Sequence, residues 1–77
     1  MSIGMGLEAK DGLYRLEMLE ATSMAPMPDV LVYDSHYAAM ESGRHLIEQF
    51  RKEYGHTLIG RIWYMGQIIG QSGVPLN

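Results

Sequence analysis

There is no cysteine among these 77 residues, which excludes a disulfide framework and a thiolate zinc centre. Such a chain has no need of an oxidising compartment, and the expected location is the cytoplasm. Basic residues are also few: six Lys and Arg stand against nine Asp and Glu, a formal net charge of −3. Lys10, Arg15, Arg44, Arg51, Lys52 and Arg61 are scattered rather than gathered, so the concentrated positive surface that displaces counterions from nucleic acid is missing. The one long apolar region, residues 58–76, is interrupted by Arg61, Gln67, Gln71 and several glycines, which argues against a membrane span. Residues 1–6 have neither the basic segment nor the apolar run of a signal peptide. Nothing in the composition implies a cofactor.

What is present reads as a single small domain, residues 1–77. At this size folding buries only about 60% of the unfolded surface, and a second subunit would help a marginal core. Seven methionines are many for so short a chain. Met is adaptable, so it serves either a loosely specified core or a re-packable binding surface, and the core is the simpler reading.

Asp11-Gly12 lies between residues 3–9 and 13–21, both able to extend. Asp-Gly is a strong signal for a type I′ turn, and a hairpin is expected here. Within 13–21, Tyr14, Leu16 and Met18 alternate with Leu13, Arg15, Glu17 and Leu19. The same stretch also fits a helical period and contains good helix formers, so strand and helix compete. Residues 22–28, with Pro26 and Pro28, read as a connecting loop that cannot be a central strand. Residues 30–33, Val-Leu-Val-Tyr, suit a strand buried on both faces.

A helix follows. Asp34 or Ser35 is its cap, and Ala39, Gly43, Leu46, Ile47, Phe50 and Tyr54 recur at three- and four-residue spacing opposite a charged side. Glu48 precedes Lys52 by four residues, the favourable order for a surface pair. Gly55 sits where a left-handed residue closes a helix. Residues 57–69 then read as a strand, and 70–77 as a loose tail. The expected fold class is therefore α+β: a single layer of about four strands (hairpin, strand, helix, strand) with one amphipathic helix on one face.

Several constellations with chemical overtones have plainer explanations. Asp34-Ser35-His36 resembles a triad only in name, because consecutive residues point apart and a working triad converges. Glu41, His45 and Glu48 share a helical stripe that a metal would find useful, but Arg44 between them favours surface pairing. Gly4, Gly6 and Ala9 have dinucleotide-fingerprint spacing without the strand and helix that give it meaning. Gly66, Gly70 and Gly73 fit strand curvature and a tail better than a ligand cradle.

The stretch 57–69 carries the functional reading. At period two, Leu58, Gly60, Ile62, Tyr64, Gly66 and Ile68 fall on one face, under the helix, with glycines where the helix backbone comes close. Ile59, Arg61, Trp63, Met65 and Ile69 fall on the other. One helix covers one side of a sheet, so the second apolar side is left for a partner. Trp63 with Arg61 and Met65 has the composition of an interface hot spot. The expected function is a small non-enzymatic protein-binding module, an adaptor or an inhibitor of the kind mobile genetic elements encode. It acts through the helix-free face, around Ile59, Arg61, Trp63, Met65 and Ile69, with a second copy of itself as partner. Burying about 800 Å² on each side suffices for such a complex. Two alternatives belong to other classes: a small-ligand binder or minor enzyme using Tyr33, His36 and Tyr37, and a single-stranded nucleic-acid binder stacking bases on Trp63 and Tyr64.

Overall fold

The computed structural model describes residues 11–76. In them the chain forms β1 (Tyr14–Glu20), β2 (Pro26–Tyr33), α1 (His36–Tyr54), β3 (Leu58–Tyr64) and β4 (Gln67–Ser72). The four strands make one antiparallel sheet in the order β2-β1-β3-β4, with α1 against one face. This is the expected α+β class. Because β2 and β3 both run antiparallel to β1, they are parallel to each other, and α1 is the crossover between them with β1 in the gap.

The strands are not all the expected ones. Residues 14–20 resolve the strand-or-helix competition as strand, since Leu16 and Met18 pair with β3 on one face while Arg15 and Leu19 bury on the other. The expected arm 3–9 lies outside the described residues. Gly12 has a positive φ of 78°, but the Asp11 carboxylate is taken up by the Leu13 N–H (3.1 Å) and by both Nη atoms of Arg15 (3.0 and 2.8 Å). The partner of β1 in a hairpin is instead β2, which starts at Pro26, inside the expected loop. Pro26 and Pro28 are tolerated because β2 is, among the described residues, an outer strand, where a missing N–H need not break a ladder. A bulge between Glu17 and Leu19 takes up the irregularity.

The stretch 57–69 is likewise two strands rather than one. The chain reverses at Met65-Gly66, whose φ values of 54° and 83° are the two positive angles of a type I′ turn. Strand β4 then takes in residues 70–72, the beginning of the expected loose tail. The rest of that tail folds back. Leu76 N–H donates to the Ala21 carbonyl (3.0 Å), and Gly73, at φ 89°, passes so close that a Cβ there would lie 3.2 Å from the Leu58 carbonyl oxygen.

Helix α1 forms as its pattern dictates. Ser35 Oγ accepts from Ala38 N–H (3.0 Å), satisfying one orphan donor of the first turn, and Gly55 closes the helix at φ 71°. Glu48 pairs with both Arg51 (2.5 Å) and Lys52 (3.8 Å). Its inner side packs Ala39, Leu46, Ile47 and Phe50 onto Leu16, Met18, Leu58 and Ile62. Leu16 is 1% exposed, and burying a side chain of that size stabilises by roughly 1.5–3 kcal/mol. The glycine that permits close approach is on the helix: a Cβ on Gly43 would sit 3.3 Å from Leu16 Cδ1. Gly60 faces Met18 and Leu16 side chains at ordinary contact distance, and Gly66 belongs to the turn, so neither makes room for helix backbone.

Candidate functional site

The strand register lays the helix-free face out in three rows. Val32, Arg15, Trp63 and Ile68 are successive partners across β2, β1, β3 and β4; Val30, Glu17, Arg61 and Gln71 form the next row; Pro26, Leu19 and Ile59 form the third. Each row has its own chemistry. The third is sealed at its β1 and β3 positions, where Leu19 is 5% exposed and Ile59, beneath a chain that returns past Gly73, 0%, while Pro26 on β2 is exposed. Ile59 therefore meets no solvent, and any contact role falls to its neighbours.

The middle row is a polar belt whose groups are paired within the molecule. Arg61 Nε donates to Gln71 Oε1 (3.1 Å), and the indole N–H of Trp63 donates to Glu17 Oε1 (3.0 Å). Arg15, in the first row, is almost wholly buried and gripped by Asp11. The pairing raises the Arg15 pKa, and the guanidinium and the Leu13 N–H hold the Asp11 carboxyl far below the usual range. The helix-free face is thus not the uniform apolar surface that alternation alone implies.

Within the β3–β4 hairpin, apolar exposure gathers toward the free end. Met65 is 45% exposed, Ile68 46% and Ile69 41%, with half-buried Trp63 opposite Ile68. Three of the five expected residues, Trp63, Met65 and Ile69, are brought together here, while Arg61 lies one row back and Ile59 in the sealed row. Ile68 is the residue that alternation misplaced. A two-residue turn pairs Trp63 with Ile68, an odd position with an even one, so the face assignment swaps on crossing the turn. The bulge between Ile62 and Trp63 swaps it back at Gly70 and leaves Ile69 as the extra residue.

A second apolar surface, which sequence reasoning missed, runs between β2 and the C-terminal half of α1. A hollow of about 190 Å³ is lined by Met18, Met27, Leu31, Leu46, Phe50 and Leu58, with Asp29 at its rim. It continues into a recess of about 410 Å³ that shares Met27, Phe50 and Leu58 and is bordered by Glu20, Tyr54 and His56. Glu20 accepts from Thr22 N–H, Ser23 N–H and Ser23 Oγ, which lowers its pKa, the Ser23 amide most of all. The prolines that marked residues 22–28 as a loop concealed this surface, because they hid the strand that forms one of its walls.

The other constellations do not assemble. The Tyr33 hydroxyl is hydrogen-bonded to Ser42 Oγ at the β2 side, His36 lies over Gly70 at the β4 side, and Tyr37 is largely exposed. Trp63 and Tyr64 are neighbours on a strand and face opposite ways; Tyr64 stacks on Tyr14 (4.4 Å between ring centroids), which in turn stacks on His36 (5.8 Å). Glu41 is paired with Arg44 (2.8 Å). Among the described residues no three His, Asp or Glu side chains gather as a metal site, and no helix is long and apolar enough to cross a membrane.

The described residues form a small α+β domain that carries these two apolar surfaces. Compared with protein-family models, curated protein sequences and solved structures, the chain matches none of them.

Proposed function

We propose that this chain is a non-enzymatic protein-binding module that docks through the tip of its β3–β4 hairpin, with a second copy of itself as a partner. Met65 carries the reading. It occupies the first central position of a type I′ turn at φ 54°, where Gly, Asn and Asp are at home and other L-residues are strained by roughly 1–2 kcal/mol. An apolar side chain that is both strained and 45% exposed contributes little to its own hairpin. Such an outlier supports a role outside the protomer, and Trp63, Ile68 and Ile69 supply the apolar and aromatic neighbours that interfaces concentrate. Among the described residues β4 lies at the edge of the sheet, which adds an open strand beside the patch.

Light scattering coupled to gel filtration tests this on wild type and Ile68→Asp. The expected wild-type mass at high micromolar concentration is twice 8.7 kDa, and the variant runs as a folded monomer by circular dichroism. A wild type that stays monomeric, or an assembly indifferent to Ile68→Asp, overturns self-association through this tip.

A further inference from the structure

We propose that the groove between β2 and α1 docks an extended segment of another protein, apolar at alternate positions and basic at both ends, which joins β2 as an additional strand. This surface is separate from the hairpin tip and does not rest on it. Among the described residues β2 is an outer strand, and its two halves differ. Pro26 and Pro28 and the bulge guard the first half, since prolines donate no ladder bond. Residues 30–33 carry no such guard: they are regular in register with Tyr14–Glu17, rich in β-branched residues, and exposed at Leu31 (37%) and Val32 (49%) on opposite faces. An added strand therefore pairs with residues 30–33. Its helix-side residues then stand next to Leu31 and enter the hollow formed with Leu46 and Phe50.

Charge selects the occupant. Asp29 and Asp34 are both exposed and bracket this segment, separated by about 17 Å of extended chain. Glu20 borders the adjoining recess, and no Lys or Arg stands among the described lining residues of either hollow. A second copy is disfavoured, because two-fold antiparallel pairing centred between Leu31 and Val32 sets Asp29 of one chain against Asp34 of the other. Like charges directly opposite are destabilising. A segment with Lys or Arg at its ends instead gains two cross-strand ion pairs.

The test is to pan a random peptide library on the folded chain and map the enriched peptide by amide chemical shifts. The expected peptide alternates apolar residues between basic ends and shifts residues 30–33 together with Leu46 and Phe50. Its affinity falls by about tenfold or more, roughly 1.4 kcal/mol, in Asp29→Lys combined with Asp34→Lys, and is unchanged in Ile68→Asp. Absence of enrichment, an acidic-ended peptide, shifts confined to the β3–β4 hairpin, or affinity insensitive to the double lysine variant overturns it. Dilution-dependent shifts at residues 30–33 without peptide also overturn it, by making a second copy the occupant.

Discussion

Two glycines four residues apart in the same hairpin should respond to alanine in opposite ways. Gly66 has φ 83°, and an L-residue forced there loses roughly 1–2 kcal/mol through contact of its Cβ with backbone. Gly70, in β4, has no positive φ, and a Cβ added to it would lie 3.6 Å from His36 Nε2 and 3.8 Å from Ile62 Cδ1, ordinary contact distances. Ala there restricts the unfolded chain without strain, a gain of about 0.4–1 kcal/mol. For a domain of this size 1 kcal/mol moves Tm by about 4–8 °C. The gap of about 1.4–3 kcal/mol means that Gly66→Ala should melt about 6–24 °C below Gly70→Ala, read by thermal and urea denaturation with Trp63 fluorescence as the probe. Chemical synthesis adds a sharper control, since D-alanine at position 66 favours positive φ and should match or exceed the wild type. Equal melting of the two L-alanine variants, or failure of D-alanine to recover what L-alanine loses, would refute the type I′ turn and the face swap that follows from it.

Met65→Asn separates stability from association: Asn tolerates the left-handed conformation, so relief of about 1–2 kcal/mol of strain should raise Tm by about 4–16 °C while dimerisation, measured by analytical ultracentrifugation, weakens about tenfold. Trp63→Phe removes the N–H held 3.0 Å from Glu17 and should cost about 1 kcal/mol. A double-mutant cycle with Glu17→Ala should return a similar coupling, and a coupling near zero means the bond contributes nothing. The lowered pKa values of Asp11, Glu20 and Glu48 set the acid response. Stability is full above the unfolded carboxylate pKa, about 4, and is lost as pH falls toward the lower folded values. In Arg15→Met, urea unfolding as a function of pH should show a shallower acid limb, because the guanidinium that lowers Asp11 is gone; an unchanged limb would contradict that origin.

What was legible in the sequence was whatever a local rule decides. Asp34 or Ser35, Gly55 and the three- and four-residue spacing between them mark α1 at both ends, since caps and amphipathic periods act within a few residues, and the structure makes Ser35 the cap. Strand 30–33 followed from β-branching, but its expected burial on both faces did not, since Leu31 and Val32 are exposed on opposite sides of an outer strand. Residues 57–69 read as one strand because Met65 is a poor announcement of a turn: Asp11-Gly12 has the favoured dipeptide, while the observed type I′ turn uses Met. Pro26 and Pro28 misled for a related reason, as their exclusion from ladders holds for central strands and lapses at an edge. In the expected site, Trp63, Met65 and Ile69 came from simple alternation. Ile68 and the sealing of Ile59 required knowing where the chain turns and returns, which depends on pairing across the sheet.

The position of β1 has a consequence for synthesis. Its partner β2 follows it within a few residues, but its other partner β3 is made only after the whole of α1. Until β3, at the start of the last quarter of these residues, has left the ribosome, the central strand has one bare side, with Leu16 and Met18 uncovered by their final neighbours. A chain stalled or cleaved within α1 should present that side to its surroundings and precipitate, whereas one ending just beyond β3 has already closed it.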